Sequence, residues 1–153
     1  MWALVAAHLG LVGAWRLTRV CKAARVGAKE FLRTLPGLVV CGGISGGVVR
    51  DDVWRLDLAT LRWGGMPGLV TARYGHAYCA VRGTLVVLGG GVSGGGLTSS
   101  VEILSSSEEG AFVDLPPLSC GAIGGAAAIA VEESDSAAGQ VLLLGGMGQA
   151  GAV

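Results

Sequence analysis

Leu85-Val86-Val87-Leu88-Gly89-Gly90 is the stretch on which the fold turns: a short apolar run that ends in a glycine doublet. The pattern recurs at Leu38-Val39-Val40-Cys41-Gly42-Gly43 and at Val141-Leu142-Leu143-Leu144-Gly145-Gly146. Gly89 follows Gly42 by 47 residues, and Gly145 follows Gly89 by 56. Each run is too short for a helix and reads as a fully buried strand. Each doublet lets the backbone turn sharply where a side chain would clash. A strand-plus-glycine unit that returns every 50 residues or so marks a repeat architecture. Repeated sheets serve as binding scaffolds more often than as enzymes.

Composition agrees with a folded, turn-rich β protein. The 153 residues suffice for one domain, or one domain with a small appendage. Hydrophobic residues at 52% and charged ones at 14% exclude a disordered chain. Glycine is abundant at 28 residues but has no three-residue period, which excludes collagen. The net charge is zero, yet residues 1–33 carry six Lys and Arg against Glu30 alone, and the remainder is acidic by the same margin. That asymmetry predicts two segments with different tasks. The basic start has no aromatic-interleaved stripe, so no nucleic-acid partner is expected.

Cys21, Cys41, Cys79 and Cys120 form no close pair, and His8 and His76 are the only histidines. No metal and no cofactor is expected from so sparse a set. Each Cys lies in an apolar run, the habit of free buried thiols in a reducing compartment. Trp2 to Trp15 is apolar, but its roughly 14 residues fall short of the about 20 that span a bilayer. No basic n-region precedes it, so neither a secretory signal nor a membrane partner is expected. The reading is an intracellular protein, cytoplasmic or nuclear. The absence of acids before Glu30 also resembles a transit peptide.

Residues 2–33 have helical character. Leu17, Val20, Cys21, Ala24, Ala28 and Phe31 recur at three- and four-residue steps that line one helix face. A turn near Gly10 separates a short first helix from a longer second one, and Thr34-Leu35-Pro36-Gly37 ends the helical part. Strands follow at Val53–Leu58, Leu61–Trp63, Gly75–Val81, Ser100–Leu104, Ala111–Leu115, Gly125–Val131 and Gln140–Leu144. Arg82-Gly83-Thr84 turns a hairpin. The Gly/Ser-rich loops Gly43–Asp51 and Gly90–Ser99 read as mobile.

These residues resemble the kelch repeat. An apolar run ending in Gly-Gly is followed by a Val-Trp or Val-Glu strand, then by an aromatic about twenty residues on. Here Gly42 and Gly43 lead to Trp63, Gly89 and Gly90 lead to Phe112, and Gly145 and Gly146 close the series. The Arg73-Tyr74-Gly75-His76 element is similar to the Arg-x-x-His that opens a kelch unit. The resemblance spans residues 38–146 and implies four-stranded blades of a β-propeller. The chain would hold strands two to four of one blade, all four of a second, and strands one and two of a third. A propeller of about two and a half blades leaves edges uncovered, so a fragment is expected, or self-association that completes a ring.

The start of the chain resembles the second half of an F-box. Leu4 to Leu11, followed by Ala14-Trp15-Arg16-Leu17-Thr18-Arg19-Val20-Cys21-Lys22, looks like the Leu-rich helix and the Leu-x-x-Val-Cys-Lys helix of that motif. The Leu-Pro-x-Asp/Glu opening of the motif is missing, and its terminal Trp is replaced by Phe31 or absent. The resemblance implies docking on the Skp-type adaptor of a cullin-RING ubiquitin ligase, through Leu4, Leu9, Leu11, Trp15, Leu17, Val20 and Cys21.

The sequence reads as mostly β: a partial kelch-type propeller over residues 36–153 behind an F-box-like helical segment at 1–35. It is a non-catalytic substrate receptor, with an unknown protein substrate held by loops Ile44–Asp51, Val92–Ser100 and Glu132–Ala138. The alternative is a kelch scaffold whose N-terminus is a helical cap or a targeting segment. Bland readings stand beside each feature. The doublets are turns and not phosphate loops, Trp54 and Trp63 are blade core, and His76 is structural and not a base. A propeller oxidase or hydrolase would need a copper or acid/base constellation that the sequence does not offer.

Overall fold

A computed structural model describes residues 1–105, 110–131, 139–148 and 151–152. In chain order, helices α1 (Trp2–Leu17) and α2 (Lys22–Thr34) precede β1 (Leu38–Cys41), β2 (Ile44–Ser45), β3 (Val48–Val49), β4 (Val53–Asp57) and β5 (Arg62–Met66). Then come β6 (Arg73–Tyr74), β7 (Ala77–Val81), β8 (Thr84–Leu88), β9 (Gly91–Val92), β10 (Val101–Leu104) and β11 (Phe112–Leu115). The last are β12 (Ile123–Gly124), β13 (Ala127–Val131), β14 (Gln140–Leu144), β15 (Met147–Gly148) and β16 (Gly151–Ala152). The fold is mostly β with two helices at the N-terminus. The chain forms two compact units, residues 1–40 with 54–66, and residues 41–53 with 67–153. The boundary expected at 35/36 falls inside the first unit. No helix among the described residues is long and apolar enough to cross a membrane.

In the first unit, α1 bends at Gly10, whose φ of 67° and ψ of −171° leave the helical region. A side chain there would be strained, so glycine sets the bend. The longer helix expected to run on from the turn near Gly10 is not continuous. α1 stops at Leu17, where the Thr18 hydroxyl donates to the Trp15 carbonyl at 2.7 Å. Cys21 is the N-cap of α2, its Sγ accepting from the Ala24 N–H at 3.4 Å. Leu17, Val20 and Cys21 therefore do not share a face with Ala24, Ala28 and Phe31. Local hydrogen bonding by Thr18 and Cys21 overrides the helical period. α2 ends where Leu35 turns extended, the conformation that Pro36 imposes on the residue before it.

The core of this unit is small-residue packing. Ala6, Ala14, Ala28, Leu32 and Ala59 are buried, with Trp15, Leu17, Phe31 and Leu35 against them. Gly27 lets α1 and α2 touch, since a Cβ there would lie 2.5 Å from Trp2 Cβ and 2.8 Å from the Ala3 nitrogen. The three-stranded sheet runs in the order β1-β4-β5. Between β4 and β5 the Asp57 carboxylate accepts from the Ala59 N–H at 2.7 Å, an Asx turn that reverses the chain.

The second unit is built on an antiparallel sheet in the order β11-β10-β8-β7. β7 and β8 are joined at Arg82 and Gly83, both at positive φ (51° and 77°), as a two-residue hairpin turn requires. β8 lies between β7 and β10, and its Val86, Val87 and Leu88 are buried. Its continuous apolar run is the signature of a strand covered on both faces. β13 and β14 form a two-stranded sheet, with β13 packed on β7. Ala128, Val141 and Leu143 face Ala77, Val86, Leu88 and Val101, while Ile129, Leu142 and Leu144 stay exposed. The runs at 38–41 and 141–144 are thus not fully buried as expected. β1 and β14 are sheet edges, and every other side chain faces water.

Among the described residues the strands form one four-stranded sheet, two three-stranded sheets (β1-β4-β5 and β12-β15-β16) and three two-stranded ones, and none closes on itself. The two Gly/Ser-rich loops are more ordered than their composition suggests. β2 and β3 pair across Gly46-Gly47, and β9 pairs with β6. The third loop, Glu132–Ala138, lies outside the described residues.

Candidate functional site

The glycine doublets form a repeated joint. Their φ angles are 59° and 104° at Gly42-Gly43, 62° and 100° at Gly89-Gly90, and 67° and 104° at Gly145-Gly146. The Gly42 N–H donates to the Asp52 carbonyl at 2.9 Å, and the Gly43 N–H to the Arg73 carbonyl at 2.8 Å. One repeat later, the Gly89 N–H donates to Ser100 at 3.0 Å and the Gly90 N–H to Ile123 at 2.7 Å. Arg50 and Thr98 return the bond, each donating to the second glycine's carbonyl at 2.9 Å. Each of these first two joints thus ties the end of one apolar strand to a segment that follows it in the chain.

Arg73 is one of two charged residues that are fully buried among the described residues. Its side chain and that of Glu102 are both fully buried and form an ion pair. Arg73 Nη1 also donates to the Gly89 carbonyl at 2.8 Å, and Nη2 to Ser100 Oγ at 2.8 Å. The Glu102 carboxylate accepts from the Val70 N–H at 2.7 Å and the Thr71 N–H at 2.9 Å. Both charges therefore have their hydrogen-bonding capacity engaged, the condition under which a buried pair is tolerated. The cluster fastens residues 70–73 to β10 and to the second doublet. Glu102 was missed as a partner of Arg73. Its signal was an acid inside an apolar strand, Val101-Glu102-Ile103-Leu104, in a segment with few bases to meet it.

His76 sits against the first doublet, its Nε2 3.3 Å from Cys41 Sγ. Burial, helped by the Arg73 charge, pushes the His76 pKa down to about 4. Burial pushes the Cys41 thiol up to about 11, with Arg73 opposing it. At neutral pH a thiol faces a neutral imidazole, the wrong charge states for a thiolate nucleophile. The titration has a consequence for stability. As pH falls from 6.5 toward about 4, the unfolded chain takes up a proton on His76 that the folded chain refuses. Stability is expected to decline across that window, and His76→Gln to flatten the decline. Urea midpoints at pH 7 and pH 5 check this; an equal drop in both proteins would refute it.

Of the aromatics, Phe112 is buried in β11. Trp54 and Trp63 are 46% and 48% exposed and are not core, a correction to the sequence reading. Their short sheet, β1-β4-β5, leaves the faces of β4 and β5 open to water. Trp63 lines a cleft of about 660 Å³ with Arg33, Arg55 and Arg62. The seven residues of the F-box resemblance divide in two. Leu4, Leu9, Leu11 and Val20 are exposed, whereas Trp15 and Leu17 pack on the alanine cluster. Cys21 is exposed and caps α2. Cys120 is also exposed, so the reading of all four cysteines as buried holds for Cys41 alone. Among the described residues no group of three His, Cys, Asp or Glu could hold a metal ion.

No curated protein matches the chain. The family match that is found begins at residue 72, so the F-box resemblance rests on the sequence pattern of residues 2–32 alone. Residues 72–119 match the Kelch motif, and they hold Arg73, His76, the Gly89-Gly90 joint, Glu102 and the four strands β7, β8, β10 and β11. This chain therefore carries a kelch motif, the sequence mark of a protein-interaction module.

Proposed function

We propose that the chain is a non-catalytic substrate receptor of a Skp-cullin-F-box ubiquitin ligase. Its helices dock on the Skp-type adaptor, and its kelch repeats, as blades of a β-propeller, hold a protein substrate. The observation that carries the adaptor half is the apolar surface of the helical segment. Leu4, Leu9, Leu11, Val12 and Val20 are each at least 45% exposed, and none packs on the alanine cluster. Large aliphatic side chains left open on one short segment suit a protein partner that covers them. The division of the seven residues refines the reading. Leu4, Leu9, Leu11 and Val20 make the contact, and Trp15, Leu17 and Cys21 shape the helices that present it. On the kelch side, specificity lies in the loops Ile44–Asp51 and Val92–Ser100, whose β-pairing displays their tips.

The test is capture of the chain by the host's Skp-type adaptor, beside a Leu9→Asp/Leu11→Asp variant. Both positions are exposed, so the variant should fold, as circular dichroism would verify. Capture of the wild type, reduced at least roughly tenfold in the variant, is expected. A folded wild type that is not captured, or a variant captured equally well, rejects the adaptor reading. The kelch repeats then stand as a scaffold whose helices are a cap.

A further inference from the structure

We propose that the first unit carries a docking site for a phosphorylated peptide of a protein partner, distinct from the exposed leucines of α1. Residues 1–40 and 54–66 hold eight of the chain's eleven Lys and Arg but only Glu30 and Asp57 of its eleven acids. Lys22, Arg25, Lys29 and Arg33 follow one another at three- and four-residue steps along α2, so they form one basic stripe. Two clefts open beside it. One, of about 490 Å³, is lined by Arg19, Arg25, Lys29 and Arg62 with Trp15, and by no acid. The other is the cleft of Trp63, lined by Arg33, Arg55 and Arg62, where Asp57 is the one acid. Thr60 and Arg62 belong to both, so the two are continuous.

The acid-free cleft presents donors. Arg25 Nε donates to the Thr18 carbonyl at 2.9 Å, which holds the guanidinium in place and leaves its terminal nitrogens for a ligand. The indole N–H of Trp15 is buried without a partner among the described residues. The Asp57 carboxylate is engaged by its own turn. Like charges gathered this closely repel one another, and an anion relieves the repulsion. Planar guanidinium forks match phosphate oxygens, and a phosphorylated side chain brings close to two negative charges to one point. Long polyanions fit less well. The remainder of the chain holds three Lys and Arg against nine acids and would repel a nucleic acid or an anionic membrane. A short peptide can occupy the basic clefts alone.

The experiment is fluorescence anisotropy with the full chain and a short labelled Gly/Ser peptide bearing two phosphoserines. The same peptide without phosphate and a short oligothymidylate are run beside it. The Arg19 and Arg62 side chains make no hydrogen bond among the described residues, so Arg19→Gln/Arg62→Gln should fold normally. Arg25→Lys keeps the charge and loses the fork. The phosphopeptide is expected to bind, and to weaken roughly tenfold or more in Arg19→Gln/Arg62→Gln and in Arg25→Lys. Equal binding of the unphosphorylated peptide, tighter binding of the oligonucleotide, or indifference to both variants would each overturn the proposal.

Discussion

Glu102→Gln is expected to destabilise the kelch-motif sheet by about 3–5 kcal/mol, because it leaves the Arg73 guanidinium buried and unpaired. The substitution changes the carboxylate by one atom, so packing hardly alters. What is lost is the negative charge opposite a cation with no access to water. Gln can still accept a backbone bond, and the N–H groups of Val70 and Thr71 remain partly served. Arg73→Met/Glu102→Gln separates charge from shape. With both charges gone, more than half of the single-variant loss should return, a coupling of about 2 kcal/mol or more. The chain itself shows that position 73 does not need a cation for its backbone role. Ile123, the residue that occupies the equivalent place one repeat later, accepts the same doublet bond. Urea unfolding of the wild type, the two single variants and the double variant measures the cycle. A Glu102→Gln loss below about 1 kcal/mol would show that the pair is indifferent to its burial.

Gly89→Ala is the second large effect, and Gly145→Ala is its control. Both glycines are the first of a doublet and have nearly the same φ, 62° and 67°. Left-handed backbone costs an alanine about 1–2 kcal/mol, and both variants incur that cost. Only at position 89 does the added Cβ run into the Ile123 carbonyl oxygen, the acceptor of the Gly90 N–H. At position 145 it meets nothing within 4 Å. Displacing Ile123 breaks the joint, so Gly89→Ala should lose about 2 kcal/mol more than Gly145→Ala. Thermal unfolding of the two variants decides it, and equal losses would mean that φ alone explains the conservation of shape across the doublets.

The strand segments were legible because period and punctuation agree there. Leu56 alternates with exposed Arg55 and Asp57, Leu85–Leu88 is apolar on both faces, and Arg82-Gly83 turns between neighbours in sequence. The doublets were legible because left-handed φ selects glycine whatever surrounds it. The break between α1 and α2 was hidden, since Thr18 and Cys21 are compatible with a helix and act through local bonds that a periodicity count does not weigh. Glu102 was hidden for another reason. Its partner lies 29 residues away, and a contact at that range is created when the fold brings β6 against β10 and not by any local pattern. Trp54 and Trp63 misled because hydrophobicity predicts burial only where a second layer covers the strand. The basic clefts were visible as charge but not as shape. Arg62 and Arg33 come together only once β5 and α2 share a unit.

The doublet joints also bear on how such a chain can change over generations. Each is made of backbone N–H and C=O groups, offered at one place by Arg73 and at the next by Ile123, two side chains with nothing in common. A mutation that exchanges side chains there leaves the backbone groups of the joint in place so long as the glycines survive, although losing Arg73 would also strand Glu102. The glycines and their left-handed angles are then the letters of the joint that cannot be exchanged, and the residues between one doublet and the next are under no such demand from it.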